Sequence, residues 1–167
     1  VRSVLSFRSA LIDPELWLIE QRETISRFHA DERRAEYQKQ RSESYLVVLT
    51  EIEQINPCVN RYRFTAAVGT PAPFLPGQYI CLYYEIDGTT ACRPYSIASS
   101  PREAAVGGYY DLFIHVGGGF TSHWLGKHIT EGDTIMASHP LGEYCITADT
   151  PRKIVGISGG MSVTPLR

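Results

Sequence analysis

Residues 93–96, with the sequence Arg-Pro-Tyr-Ser, place a permanent positive charge, a flat aromatic ring and a short hydroxyl side by side. A guanidinium can hold a phosphate through two parallel hydrogen bonds. Arg93 and Tyr95 are two residues apart, so in a strand their side chains share one face of the sheet. Ser96 faces the other way unless the strand end or a bulge re-aims it. Alone, the run is more typical of an ordinary strand with a surface arginine and a core tyrosine.

A run of three glycines, residues 117–119, precedes a short predicted helix, Thr121 to His128. Glycine lets the backbone approach a ligand closely. The N-terminus of a helix presents free N–H groups and a positive dipole end to an anion. Thr121 or Ser122 is predicted to cap the helix and to bind phosphate. A Gly-rich hairpin followed by an ordinary Ser or Thr cap would give the same string.

Composition limits the classes of function. The 167 residues carry a net charge of −2, with 43% hydrophobic and 20% charged residues, which is ordinary for a globular domain with a core. The charge does not favour nucleic-acid binding. No apolar run approaches the ~20 residues that span a membrane, and no signal-peptide pattern is present.

The four cysteines form no C-x-x-C pair, so no metal site is predicted. They resemble free core thiols and favour a cytoplasmic location.

The first part of the chain has a helical pattern from Asp13 to about Arg41. Asp13 is a good N-cap and Pro14 suits the first helical position. Residues 31–41 are mostly charged and Gln-rich, which favours a solvated helix face. A docking helix for another domain or subunit is the alternative.

From Tyr45 onward the pattern predicts short strands. The turn signal at Asp87-Gly88 favours a hairpin, and strands at this spacing are typical of an antiparallel barrel or sandwich. The last strand leads into a Gly-rich turn, which is how a doubly wound α/β unit begins. The predicted strands start at Leu46, Arg61, Tyr79, Ala91, Tyr109, Thr134 and Lys153, the last running to Ile157.

Read together and in order, these strings resemble the ferredoxin–NADP reductase family from about Leu46 to the end of the chain. The resemblance implies a mainly β fold, an antiparallel six-stranded Greek-key barrel with a short phosphate-binding helix, preceded by an N-terminal helical segment. The domain bounds expected are 1–44 for the helical segment, 45–150 for the FAD-binding barrel and 151–167 for the start of an NAD(P)-binding domain. The strings that carry the resemblance are Pro76-Gly77-Gln78-Tyr79, Arg93-Pro94-Tyr95-Ser96, Gly118-Gly119-Phe120-Thr121-Ser122, Gly132-Asp133, Pro140-Leu141-Gly142-Glu143-Tyr144 and Gly159-Gly160-Met161-Ser162-Val163-Thr164-Pro165.

The resemblance also implies roles for single residues. Arg93 would bind the FAD pyrophosphate, Tyr95 would pack on the isoalloxazine and ribityl region, and Ser96 would hydrogen-bond near flavin N5. Thr164 would sit where a nicotinamide stacks, so Ser96 and Thr164 are the catalytic candidates. The cofactor-binding candidates are Arg93, Pro94, Tyr95, Ser96, Ile114, His115, Val116, Gly118, Gly119, Phe120, Thr121, Ser122 and Thr164.

Two residues depart from the family pattern. His115 stands where the family often has Lys or Arg, which weakens one phosphate or adenosine contact. Ser162 replaces the second glycine of the family's Gly-Gly-x-Gly turn, and its side chain crowds the approach of a pyrophosphate. Flavin binding is therefore expected more strongly than NAD(P)H binding.

The expected function is that of an FAD-binding domain in an NAD(P)H oxidoreductase that exchanges electrons with an iron–sulfur, haem or flavin partner. FMN is the alternative cofactor. The chain ends soon after the second domain would begin, so alone it is expected to be inactive with NAD(P)H. Residues 158–167 are expected either to be disordered or to pack unlike their place in an intact reductase. A non-catalytic barrel module and an electron-transfer subunit of a larger complex remain open.

Overall fold

The fold is known from a computed structural model. It describes residues 39, 43–117, 119–143, 145–151 and 153–166. The predicted N-terminal helical segment, residues 1–44, therefore lies outside the described part except for Lys39, Glu43 and Ser44. Within the described ranges, no helix is both long and apolar enough to span a membrane.

Six strands and two α-helices make up most of the described chain. The strands are β1 (Tyr45–Asn56), β2 (Val59–Ala66), β3 (Tyr79–Ile86), β4 (Thr89–Ser96), β5 (Tyr109–His115) and β6 (Thr134–Ala137). The helices are α1 (Pro101–Gly107) and α2 (Phe120–His128), and a 3₁₀ helix covers Gly160–Leu166.

The strands form one antiparallel sheet in the order β4-β3-β6-β1-β2-β5, which confirms the predicted six-stranded Greek-key arrangement. The inner face is a contiguous core to which every strand contributes, because strand side chains alternate between the two faces. The end strands β4 and β5 also contact each other, which rolls the sheet into a barrel. The largest fully buried hydrophobic side chains are Val47, Leu49, Tyr62, Phe64, Ile80, Leu82, Tyr110, Leu112, Ile114 and Leu125.

The predicted hairpin at Asp87-Gly88 is confirmed and sets the register of β3 against β4. Asp87 and Gly88 have φ angles of 50° and 72°. Positive φ at both central residues is the geometry of a type I′ turn, whose twist matches that of the two strands. The pairing continues without a bulge from Ile86↔Thr89 to Tyr79↔Ser96.

Helix α1 was absent from the sequence-based expectations, although its start carries a clear signal. The Ser100 hydroxyl accepts a hydrogen bond from the Glu103 N–H at 3.1 Å, and the Glu103 carboxylate accepts one from the Ser100 N–H at 2.8 Å. This is a reciprocal capping box, with Pro101 in the first turn. The Ser-Pro-x-Glu spacing could have predicted the helix.

The predicted strand at Lys153–Ile157 is wrong. These residues are exposed and pair with no strand of the described chain, and Val155 and Ile157 are 88% and 93% exposed. A parallel strand needs another strand to pair with and helices that cover the faces of the sheet, and the described residues supply neither for this segment. Beyond it, the 3₁₀ helix packs against β5.

The barrel is closed at Asp111 in β5. Its backbone carbonyl accepts a hydrogen bond from Ala98 N–H at 2.8 Å, and its N–H donates to the Ser99 hydroxyl at 3.2 Å. Its carboxylate accepts two hydrogen bonds from Arg63 in β2, at 2.8 and 2.9 Å, and this pairing raises the pKa of Arg63 above its ordinary value. Asp111 therefore joins the segment after β4 to β5, and β5 to β2.

We expect Asp111→Ala to lower the free energy of unfolding by about 3 kcal/mol, because it leaves the Arg63 guanidinium without its buried partner. The side chain of Asp111 is only 7% exposed. Glu53→Ala is the control. Glu53 pairs with Arg61 at 2.9 Å but is 53% exposed, so its loss should cost less than about 1 kcal/mol. Urea denaturation measures both, and equal losses would contradict this role of Asp111.

Candidate functional site

The first element of the candidate site is one face of β4. Arg93 lies opposite Leu82 and Tyr95 opposite Ile80. Directly opposed residues share a face, so the structure confirms that Arg93 and Tyr95 point to the same side. Ser96 lies opposite Tyr79, and since no bulge interrupts the pairing, its position in the alternation is on the other face.

Arg93 offers a cation whose charge is not matched by a neighbouring carboxylate. Its side chain is exposed, and its Nη1 donates to the Cys92 carbonyl at 2.8 Å. Among the described residues it forms no salt bridge, whereas Arg61 and Arg63 are both paired with acidic side chains. The remaining N–H groups of Arg93 can therefore bind an anionic ligand.

Tyr95 packs its ring against the barrel core and buries its hydroxyl. That hydroxyl lies beside the hydroxyl of Tyr84, and neither makes a hydrogen bond of good geometry within the described chain. Burial first, and then the neighbouring Tyr95, raise the pKa of Tyr84 well above its ordinary value. Buried hydroxyls without partners are uncommon and costly, so this pair is suited to a ligand that brings polar atoms.

The second element is the N-terminus of α2. Its N-cap is Gly119, with φ of 173° and no side-chain cap. The prediction that Thr121 or Ser122 caps the helix is wrong, because both lie inside the first turn and Thr121 is only 4% exposed. The first-turn N–H groups are thus left without a side-chain acceptor, and no acidic residue occupies that turn. Such a terminus favours an anion.

Aromatic contacts place α2 against Tyr84 of β3, whose hydroxyl lies beside that of Tyr95 in β4. The ring of Trp124 lies 6.0 Å from that of Tyr84, between ring centroids. A Cβ placed on Gly126 would lie 3.0 Å from the Val116 side chain and 3.9 Å from the Tyr62 hydroxyl. The helix therefore sits directly against the end of β5 and against the tyrosines that surround Tyr95. Sequence reasoning missed Tyr62 and Tyr84, whose proximity depends on strand register.

The residues predicted from β5 differ in what they can offer. Ile114 is 1% exposed and its side chain belongs to the barrel core, so only its backbone remains available to a ligand. His115 is exposed. Val116 is half-buried and packs on the core.

Two of the predicted residues belong to the Gly-rich segment and to α2. Phe120 is 72% exposed at the start of α2, and the predicted Gly118 lies outside the described residues.

The Thr164 hydroxyl is bonded within its own 3₁₀ helix. The residue is 8% exposed, and its hydroxyl donates to the Met161 carbonyl at 2.7 Å. In the preceding turn, the Ser162 hydroxyl accepts from Gly159 N–H at 3.0 Å and donates to the Gly159 carbonyl at 2.6 Å. The Ser162 side chain therefore occupies a backbone N–H that an anion would otherwise use.

Comparison with known proteins gives a consistent result. Residues 46–146, more than half of the chain, match the model of the oxidoreductase FAD-binding domain. The chain is 28% identical over 128 residues to a flavohemoprotein of Bacillus anthracis, covering 72% of this chain and 31% of that protein. It is 34% identical over 96 residues to the glycine betaine monooxygenase reductase subunit of Chromohalobacter salexigens, covering 56% of this chain and 25% of that subunit.

A solved structure has the same fold. The cytochrome P450 reductase of Amycolatopsis superposes with a TM-score of 0.63 at 28% identity, covering 74% of this chain and 36% of that one. The chain thus spans about a third or less of the curated relatives named above.

For the ligand-free protein, we expect Tyr95→Phe to leave the free energy of unfolding unchanged or to raise it by up to ~1 kcal/mol, because it removes a buried hydroxyl that lacks a partner. Tyr62→Phe is the matched control. The Tyr62 hydroxyl accepts a hydrogen bond from Asn60 Nδ2 at 3.2 Å, so its removal should destabilise by about 1 kcal/mol. Thermal and urea unfolding measure both variants. A destabilisation by Tyr95→Phe as large as that by Tyr62→Phe would show that the Tyr95 hydroxyl is already satisfied.

Proposed function

The chain belongs to the oxidoreductase FAD-binding domain family, and on that premise we propose that Arg93, Tyr95 and the first turn of α2 hold FAD in a longer NAD(P)H oxidoreductase. The chain is a flavin-binding barrel, and the family match selects FAD over the alternative FMN. The observation that carries the assignment of residues is the shared face of Arg93 and Tyr95 on β4. The N-terminus of α2, which has no side-chain cap, is proposed to supply a second phosphate contact.

The residues fit the chemical groups of FAD. The exposed guanidinium of Arg93 is available to the pyrophosphate, and the uncapped N–H groups that follow Gly119 suit a second phosphate contact. The buried hydroxyl of Tyr95 can bond a ribityl oxygen, and its ring can pack against the flavin. The residues proposed to contribute further contacts are Pro94, Ser96, the backbone of Ile114, His115, Val116, Gly118, Phe120, Thr121 and Ser122.

When bound, FAD supplies the redox chemistry, and the protein supplies orientation and electrostatics. Arg93 fixes the phosphate end through its charge, while Tyr95 fixes the ring end through packing and excludes water from one side. Ser96 is proposed to donate near flavin N5. Because its side chain takes the opposite face in the strand alternation, that contact requires the end of β4 to turn the hydroxyl toward the ring.

Electron transfer to a protein partner is proposed from the relatives. Their names describe a flavohemoprotein, the reductase subunit of a monooxygenase and a cytochrome P450 reductase. We propose that this protein likewise passes electrons from NAD(P)H to a haem, iron–sulfur or flavin partner on another domain or subunit. The four cysteines are free thiols, which suits the cytoplasmic location proposed from the sequence.

The described residues contribute little to the nicotinamide half of the reaction. Lys153–Ile157 is unpaired, and Ser162 bonds both the N–H and the carbonyl of Gly159. We propose that Thr164 adjoins the nicotinamide only when further chain completes a dinucleotide domain. The 167-residue chain alone should therefore reduce bound FAD with NADH or NADPH far more slowly than the full-length protein.

We expect Arg93→Ala to weaken FAD binding about 10- to 100-fold, because it removes a charge-assisted pair of hydrogen bonds to phosphate. Titration of FAD, followed by the quenching of its fluorescence, measures the dissociation constant. Arg102→Ala is the matched control, since Arg102 is an exposed arginine in α1, outside the proposed site.

Two results would oppose the assignment in different ways. Equal affinity of Arg93→Ala and Arg102→Ala would remove Arg93 from the site. A protein that stays colourless with added FAD, together with no effect of Arg93→Ala, would favour the non-catalytic barrel module. Mass spectrometry of the cofactor released from protein purified with its natural ligand distinguishes FAD from FMN.

In the full-length protein, we expect Ser162→Gly to lower the KM for NAD(P)H severalfold, because it frees the Gly159 N–H and removes a side chain from the turn. Ser162→Ala separates the two effects, since it frees the N–H and keeps a Cβ. Steady-state reduction of ferricyanide, with NADH and with NADPH, measures both variants. An unchanged KM in both would contradict the role given to Ser162.

A further inference from the structure

Two cysteines lie on one face of the β3–β4 hairpin, next to Arg93. In the register, Cys81 lies opposite Pro94 and Cys92 lies opposite Tyr83. Cys92 and Pro94 are two residues apart and share a face, so Cys81 and Cys92 are diagonal neighbours on that face. The two thiols interact with each other, and this interaction is the largest cause of the shift in the pKa of each.

The two thiols have different surroundings. Cys81 is 6% exposed and is fixed on both sides of its backbone by Ser138, whose hydroxyl accepts from Cys81 N–H and whose N–H donates to Cys81 O, both at 2.9 Å. Cys92 is half-buried, on the end strand of the sheet. The neighbouring thiol, and then the charge of Arg93, lower the pKa of Cys92, whereas the neighbouring thiol and burial raise that of Cys81.

Cys92 therefore has the properties of a thiol that reacts first with an oxidant, and Cys81 those of a resolving thiol that then forms the disulfide. The thiolate is the reactive form, and a partly exposed cysteine beside a cation is the susceptible one. Cys58 and Cys145 are also free, but neither is opposite or diagonal to a second cysteine in the strand pairings of the described chain, and the Cys145 thiol donates to the Glu143 carbonyl at 3.5 Å. Only the hairpin pair thus combines a reactive with a resolving thiol within the described chain.

We propose that Cys81 and Cys92 form a peroxide-oxidised pair whose disulfide weakens binding of FAD at Arg93. In the first step, the Cys92 thiolate attacks one oxygen of hydrogen peroxide; the O–O bond breaks, and hydroxide leaves and is protonated to water. In the second step, the Cys81 sulfur attacks the Cys92 sulfenic sulfur; the S–O bond breaks, and the oxygen leaves as water with the Cys81 proton. The two thiols lose two electrons, and one peroxide becomes two waters.

The link to FAD follows from strand geometry and rests on the proposed function. Diagonal neighbours have Cα atoms about 7–8 Å apart, whereas a disulfide needs about 4.4–6.8 Å. Bond formation must therefore draw the two strands together at this point. Cys81 is held by Ser138, and β4 is an end strand, so β4 is the strand that moves. Arg93 follows Cys92 directly and bonds its carbonyl, so the guanidinium is displaced with it.

The test uses reduced protein treated with hydrogen peroxide, then blocked and digested without a reductant. Trypsin has no cleavage site between Cys81 and Cys92, whereas a glutamyl endopeptidase cuts after Glu85 and separates them. We expect a disulfide-linked peptide pair containing Cys81 and Cys92 in the wild type and in the control Cys58→Ser. We expect none in Cys92→Ser. In Cys81→Ser, dimedone should label Cys92, because the sulfenic acid has no resolving thiol.

FAD titration of the same samples gives the second readout. Oxidation should weaken FAD binding at least about tenfold in the wild type and in Cys58→Ser, and a dithiol reductant should restore it. Absence of the linked peptides, or unchanged affinity after they form, would overturn the proposal. If the reduced protein binds no FAD, the proposed function fails, and the linked peptides alone then decide whether the thiols are a pair.

Discussion

The position of the proposed cofactor contacts depends on how the two end strands of the sheet are joined at Asp111. In an open sheet, β4 would be an edge strand held on one side only, and Arg93 and Tyr95 would move with it. The hydrogen bonds from Ala98 and to Ser99 fix the chain three and four residues after Tyr95. Asp111 is held in turn by Arg63, so an ion pair between β2 and β5 supports the segment that follows β4.

That arrangement costs desolvation of a carboxylate, which an apolar contact would avoid. In return, the ion pair fixes the relative orientation of the two side chains, because the two oxygens of Asp111 match the Nε and Nη2 groups of Arg63 in one arrangement only. The guanidinium of Arg63 also lies 3.8 Å from the centre of the Tyr109 ring, which favours the same orientation through a cation–π contact. β2 and β5 are therefore held in one register where they support the segment after β4.

The parts of the fold that the sequence predicted are those with local causes. The turn at Asp87-Gly88 and the strand predicted to start at Arg61 depend on a few neighbouring residues, and the structure contains both. Helix α1 was missed although its capping box at Ser100 is equally local. The strand at Lys153–Ile157 was wrong because an apolar run becomes a parallel strand only when other strands flank it.

The candidate site likewise contains features that the sequence could predict and features that it could not. The common face of Arg93 and Tyr95 follows from their spacing, and the sequence was sufficient to predict it. The buried hydroxyls of Tyr84 and Tyr95 could not be predicted, because their proximity arises between two strands whose register the turn determines. The cap of α2 was misassigned by two or three residues, since a Gly at the N-cap leaves no side-chain signal.

The first turn of α2 and the turn at Gly159 differ in how readily their N–H groups could bind an anion. The first turn of α2 has no side-chain cap, so a phosphate there has no side-chain acceptor to displace. At Gly159 the N–H is already bonded to the Ser162 hydroxyl, so a pyrophosphate must first break that bond, at about 1 kcal/mol. Contacts on regular elements are also held more rigidly than those of an exposed turn. Of these two turns in the described chain, the first turn of α2 is therefore the one whose N–H groups are more available to an anion.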